Sequence, residues 1–246
     1  MNEEQREYRS LFERKLVHHC TPTLAALKPA NLFTFRLDQR AGRASATADA
    51  ADAADANASD PDELFRDALR ATRDKLAPQG VRIEVLARRE TGMLLYVYRP
   101  RLVKHILNQE RVAAFLREEG YDPSSLSSCI ERLHRRICGT DLESQLTGAC
   151  TFPHEIGFFL GYPYDDVIGF IENKGENFLC CGCWKVYSRE RDAQDCFCRY
   201  KDCTALYESL YEKGASLESL AAVKEDAHAV ASLSATVEGL RVQATC

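Results

Sequence analysis

The chain has 246 residues, 45% of them hydrophobic, which is enough apolar material for one large domain or two small ones. Its formal net charge is −5, and four aspartates in the 44–60 stretch carry most of that, so the remainder is near neutral and lacks the electrostatic footprint of a nucleic-acid binder. No apolar run approaches the roughly 18 residues that suggest a membrane span, and the opening Met-Asn-Glu-Glu-Gln-Arg-Glu is too charged for a secretory signal; the expected location is the cytoplasm, away from membranes.

Apolar periodicity predicts a first helix from Glu4 to His19, with Tyr8, Leu11, Phe12 and Leu16 on one face. Pro22 and Pro29 bracket a turn-rich piece, and Asn31 to Leu37 reads as a short strand. Residues 41–60 are an Ala/Asp repeat with no large apolar group to bury; such a segment does not offset the entropy of ordering, and a flexible insertion is expected. Asp60-Pro61-Asp62-Glu63 is a helix start, with a capping aspartate, proline at the first helical position and Glu63 placed to close a capping box. Leu64, Phe65, Ala68, Leu69 and Leu76 form that helix's buried stripe, and Pro78-Gln79-Gly80 ends it.

Val81, Ile83 and Val85 alternate with polar residues, the pattern of a half-buried strand. Residues 89–92 turn the chain, and Met93 to Tyr98, apolar on both faces, predicts a central strand. Pro100 to Gly120 is helical in two pieces. A helix beginning at Asp122-Pro123 follows, with Leu126, Ile130, Leu133 and Ile137 inward and Arg132, Arg135 and Arg136 on a solvated face. Phe152 to Leu160 predicts a short helix stopped by Gly161, the next runs from Tyr162-Pro163 to Glu172, and Phe178 to Tyr187 predicts a strand. Arg189 to Lys213 is a long amphipathic helix, and 217–242 reads as one more with a thin apolar stripe.

Few strands, several helices and an 81–98 hairpin make the expected fold class α+β: a small, mainly antiparallel sheet packed with helices, plus a C-terminal helical extension. The expected organisation is a single domain over 1–213 carrying the 41–60 insertion, followed by a helical tail over 214–246.

Eleven cysteines are many, and six of them, Cys180, Cys181, Cys183, Cys196, Cys198 and Cys203, fall close together. Zinc thiolates must converge at about 2.3 Å around a tetrahedron. Cys181 and Cys183 share a predicted strand face, but residues two apart on a helix stand about 200° apart, so Cys196 and Cys198 diverge. No residue is therefore nominated as a metal ligand, although a metal or redox accessory role for this Cys-rich region stays open.

The richest concentration of ionisable groups around Gly/Pro turns lies between Phe152 and Tyr187. His154-Glu155 lacks the second histidine of a zincin, since position 158 is Phe. At a helix start Glu155 suits capping, and the positive end of the helix favours neutral imidazole at His154, as a general base or ligand requires. A second polar cluster, His18-His19-Cys20-Thr21-Pro22-Thr23 with Lys28-Pro29, lies near a predicted helix end that would raise rather than lower a thiol pKa.

Phe152-Pro-His-Glu-Ile-Gly157, Phe159-Leu-Gly-Tyr-Pro163, Asp166-Val167, Gly169-Phe170-Ile171, Asn173-Lys174-Gly175 and Trp184-Lys185-Val186-Tyr187, with Cys20-Thr21-Pro22-Thr23-Leu24, Lys28-Pro29 and Leu32-Phe33, together resemble a bacterial family catalogued as domain of unknown function 3793. The resemblance covers about 11–205, with the acidic insertion between. It implies no activity or cofactor. His19, Cys20, Thr23, Lys28, His154, Glu155, Asp166, Cys180, Trp184, Lys185 and Tyr187 match its pattern, whereas Cys181, Cys183, Cys196 and Cys198 depart from it, and the tail after Lys213 lies outside it.

The expectation from both readings is a small-molecule site, catalytic or purely binding, in the 152–187 block. His154, Glu155, Cys180 and Lys185 are the catalytic candidates; His19, Cys20, Lys28, Trp184 and Tyr187 are the ligand- or cofactor-binding ones. The competing expectation is a non-enzymatic interaction module in which Trp184 and Tyr187 are core or interface aromatics. The deciding observation is whether His154, Lys185 and Cys180 line one pocket.

Overall fold

Three strands form the centre of the computed structural model, which describes residues 2–37, 60–140 and 152–222. β1 (Ala30–Phe35), β2 (Arg82–Arg89) and β3 (Gly92–Tyr98) form an antiparallel sheet in the order β1-β3-β2. The doubly apolar β3 is the middle strand, and all of its residues are buried. Side chains alternate across a sheet. Met93, Leu95 and Val97 therefore enter one core, and Leu94, Tyr96 and Tyr98 enter another. The alternation of β2 changes at a register shift between Val85 and Ala87, which lets Leu86 and Ala87 both reach the second core.

The first core is roofed by α1 (Glu3–Leu24), α2 (Pro61–Leu76) and α9 (Leu217–Ala221). The second is covered by α3 (Pro100–Leu107), α4 (Glu110–Glu118), α5 (Leu126–Ile137), α6 (Ile156–Phe159) and α7 (Tyr164–Glu172). The fold is thus the expected α+β one, with helices on both faces of a small antiparallel sheet. A two-stranded sheet of β4 (Cys180–Cys181) and β5 (Lys185–Val186) packs with α8 (Glu190–Glu212) as a third, smaller core of Trp184, Val186, Ala193, Cys196 and Tyr200. No helix among the described residues is long and apolar enough to cross a membrane.

Several boundaries differ from expectation for identifiable reasons. α1 continues past His19 to Leu24, with Pro22 inside its last turn; Thr21 Oγ1 donates to the Val17 carbonyl at 2.6 Å, and burial of Cys20 through Leu24 outweighs the missing N–H of the proline. The helix expected from Asp122 starts at Leu126: Asp122 instead takes Ser124 N–H and Oγ–H in a tight turn, and Ser125 is the cap. The helix expected over 152–160 is one turn, because Pro153-His154-Glu155 forms a turn before it and Gly161, at φ 74°, follows it. A Cβ on Gly161 would fall 2.3 Å from Pro29 Cγ, so glycine is what lets this segment close on the Lys28-Pro29 loop. The single strand expected over 178–187 is a hairpin of two-residue strands with Gly182, Cys183 and Trp184 between them. The 41–60 insertion, apart from Asp60, and the tail beyond Ala222 fall outside the described residues; Leu217, Leu220 and Ala221, at the start of that tail, are buried in the first core.

Arg99, at the end of β3, is fully buried. It donates to the carbonyls of Thr23 (2.7 Å), Leu24 (2.5 Å), Gln79 (3.0 Å) and Ala221 (3.0 Å). One guanidinium thereby satisfies the Leu24 carbonyl at the end of α1, shares that of Thr23 with the Ala26 N–H, and ties both to the segment after α2 and to α9.

Candidate functional site

The 152–187 block is assembled around two side chains of α7, Asp166 and Phe170. Asp166 is buried; its Oδ2 accepts Trp184 Nε1–H at 2.7 Å, and its Oδ1 accepts the N–H groups of Tyr187 at 2.8 Å and Ser188 at 2.9 Å and the Ser188 hydroxyl at 3.2 Å. Through these bonds one carboxylate positions the whole Trp184–Ser188 segment. Tyr187 lies against Gly169, where a Cβ would be 2.5 Å from its ring, and its buried hydroxyl has no partner among the described residues. Exchanging Asp166 for asparagine, which turns an acceptor into a donor facing other donors, is expected to cost about 2–3 kcal/mol. It should also red-shift the emission of Trp184, the sole tryptophan, before global unfolding. Unchanged fluorescence and stability would show that the carboxylate does not hold this segment.

Phe170 is shared by two sequence-predicted residues. The exposed His154 ring lies 4.9 Å from it, and Lys185 Nζ sits 5.9 Å from its centroid. Lys185 Nζ also donates to the Gly175 carbonyl at 2.6 Å and lies 4.6 Å over the ring of Phe178. On the other side His154 neighbours Phe152 at 6.2 Å, and the guanidinium of Arg89 lies 5.8 Å from that ring. The result is a series in which basic side chains and phenyl rings alternate: Arg89, Phe152, His154, Phe170, Lys185, Phe178. Phe152 and Phe178 are each 38% exposed, so the series is open to solvent. At its Arg89 end lies a hollow of about 480 Å³ lined by Arg36, Leu37 and the Arg88–Gly92 turn. Arg88 is engaged there by Asp62 through two bonds of 2.7 and 2.9 Å.

The structure thus joins His154 to Lys185 through Phe170. It does not join Lys185 to Cys180. Directly opposed residues in an antiparallel pair point to the same face. Cys180 faces with its partner Val186 into the third core, and Lys185 faces with Cys181 to the other side. Burial, then Glu190, pushes the Cys180 thiol pKa up, away from thiolate character.

Glu155 makes no side-chain capping bond. Its buried carboxylate accepts Tyr121 Oη–H at 2.6 Å and pairs with Arg136 at 2.7 Å, while Arg136 also reaches Glu119 at 2.8 Å. This corrects the solvated arginine face: Arg135 is exposed, but Arg136 neutralises a buried acid and Arg132 donates to the Glu119 carbonyl. Glu155 is therefore a structural counter-ion joining α5 to the turn before α6.

The N-terminal candidates lie apart from the ring–cation series. His19 stacks on Phe33 at 4.9 Å, on the sheet face opposite α6 and α7; burial, then His18 and Lys15, lower its pKa. Cys20 is fully buried in the first core, and burial pushes its thiol far up. Lys28 is 5% exposed, with its ammonium 5.0 Å over the Tyr162 ring. Burial lowers its pKa to about 8, partly opposed by Cys183, Cys20 and Cys196. Trp184 stacks on Tyr162 at 5.0 Å and meets Phe197 edge-on at 4.6 Å, which makes it a core aromatic rather than a ligand platform. Among the described residues no three His, Cys, Asp or Glu side chains are grouped so as to hold a metal ion.

Sequence reasoning did not single out Arg89, Phe152, Phe170 and Phe178 as site residues. Arg89 reads as an ordinary turn residue, and phenylalanine reads as core until its exposure is known. In comparison with known proteins, the family described as "Protein of unknown function (DUF3793)" matches residues 16–221, a span that passes Lys213 and takes in α9. No curated protein and no solved structure matches the chain.

Proposed function

The chain belongs to this family of unknown function, which brings no activity with it, and we propose from the geometry that it binds a small, planar, anionic molecule along the ring–cation series. The observation that supports the reading is the unbroken alternation from the arginine-lined hollow at Arg36, Arg88 and Arg89 to Lys185 and Phe178. Exposed rings offer stacking faces worth about 1–3 kcal/mol per stacked base, and guanidinium forks suit phosphate or carboxylate oxygens. A nucleoside monophosphate has both features in one molecule. The near-neutral charge of the body favours a small ligand over a nucleic-acid chain. Cys180 lies on the far face of its hairpin from Lys185, which favours binding over nucleophilic catalysis by that pair.

Isothermal titration tests this with a nucleoside monophosphate and, separately, inorganic phosphate. The expected result is saturable nucleotide binding weakened roughly tenfold by Phe152→Ala and by Arg89→Met, with phosphate alone bound more weakly and unaffected by Phe152→Ala. Absence of heat with the nucleotide, or equal affinity for wild type and both variants, would refute the reading.

A further inference from the structure

Beneath the β4–β5 turn, three groups that the ring–cation series does not use converge. Lys28 is buried, with its ammonium 5.0 Å over the Tyr162 ring and no carboxylate paired with it among the described residues. Tyr162 in turn donates its hydroxyl to the Cys183 carbonyl at 3.1 Å, so the ring over Lys28 also holds the turn that carries Cys183. Gly182 presses on Phe197 so closely that a Cβ there would fall 2.3 Å from its ring, which brings Cys183 beside the α8 segment that carries Cys196. Cys196 is buried in the third core with Tyr200, whose Oη donates to the Leu27 carbonyl at 3.4 Å. Burial raises the Cys183 pKa, the nearby Lys28 ammonium opposes that rise, and the Cys196 thiol adds to it. Cys183 itself is exposed, and both thiols are free.

We propose that Cys183 and Cys196 form a peroxide-responsive thiol pair, with the Lys28 ammonium as its positioning charge. A hydroperoxide transfers one oxygen to the Cys183 sulfur: the O–O bond breaks, an S–O bond forms, the sulfur is oxidised to sulfenic acid and the hydroperoxide is reduced to an alcohol or water. The Cys196 thiol then attacks that sulfur. An S–S bond forms, the S–O bond breaks, and hydroxide leaves with the thiol proton as water. The Lys28 ammonium works against the burial of Cys183 and so favours the anionic sulfur that attacks the hydroperoxide. Cys181 and Cys198 are also exposed and free, and they serve as internal controls.

The test treats the full-length protein with hydrogen peroxide, quenches it with an alkylating reagent and maps peptides without reduction. A Cys183–Cys196 cross-linked peptide should form before Cys181 or Cys198 is modified. Cys196→Ser should leave a dimedone-reactive sulfenic acid on Cys183, and Lys28→Met should slow the cross-link roughly tenfold, the change in thiolate fraction for one unit of pKa. Melting curves for each variant establish that the fold persists. Oxidation of Cys181 or Cys198 first, a cross-link from Cys183 to any other residue, or an unchanged rate in Lys28→Met would overturn the proposal.

Discussion

Arg99→Met is expected to lower the unfolding free energy by about 3–5 kcal/mol, measured by urea denaturation. Methionine fills much of the same volume but supplies no donor. The buried carbonyls of Thr23, Leu24 and Ala221 and the part-buried one of Gln79 would then each lose a charged partner at 2.5–3.0 Å, Thr23 keeping a backbone N–H, that of Ala26. Losing the partner of a buried acceptor costs roughly 1–3 kcal/mol per group, and relaxation recovers part of the sum. The effect reaches beyond one contact, because the end of α1, the segment after α2, and α9 share this one donor. A loss below 1 kcal/mol would mean that these carbonyls find other partners readily.

Lys28→Met is expected to act in the opposite direction, raising stability by about 3 kcal/mol at pH 7. Burial holds the folded-state pKa of Lys28 near 8, against 10.5 for the free group. Each unit is worth about 1.36 kcal/mol. Between these values the unfolded chain binds the proton and the folded chain does not, so wild-type stability climbs as pH rises through that window. Below pH 8 both states are protonated and the burial penalty is fully present; above 10.5 it is gone. The advantage of the variant should therefore be constant on the acid side, shrink from pH 8 to 10.5, and vanish beyond. Denaturation midpoints across pH 6–10 measure it. A variant less stable than wild type at pH 7 would show that the Tyr162 ring compensates the buried charge in full. A residue kept at a net cost in stability is the pattern of a functional group, and it is this lysine that joins the Cys183–Cys196 pair.

Much of the fold was legible locally. The two-faced apolarity of Met93–Tyr98 marks a central strand, and that strand is β3 between β1 and β2. Asp60-Pro61 starts α2, with the Asp60 carboxylate taking the Asp62 N–H at 3.0 Å. The paired helices after Pro100 and the long helix α8 also lie where periodicity put them. The misplacements share a cause. Pro22 reads as a helix stop because a local rule cannot see the burial that carries α1 on to Leu24. Residues 178–187 read as one strand because nothing local announces that Asp166, a dozen residues upstream, will take the Tyr187 and Ser188 N–H groups and fold the segment into a hairpin.

For the site, residue chemistry marked the block but not its partners. His154 and Lys185 were visible as capable groups; that both rest on Phe170 was not. Cys180 and Lys185 look like neighbours in sequence, yet a two-residue strand puts them on opposite faces. Glu155 looks like a cap, yet Tyr121, from the connection between α4 and α5, and Arg136, on α5, arrive to bury it.

The sequence by itself determined what depends on near neighbours: which segments are helical, which strand is doubly buried, and which family the chain belongs to. Backbone propensity, capping and apolar period act over a few residues and leave their pattern in the string. Only the tertiary structure decided which charges are neutralised, which rings are left in solvent and which thiols meet an ammonium. Those outcomes depend on burial and on partners far along the chain, such as Lys28 with Cys183 and Arg99 with Ala221, and electrostatic and stacking energies depend on distance in space, not separation in sequence.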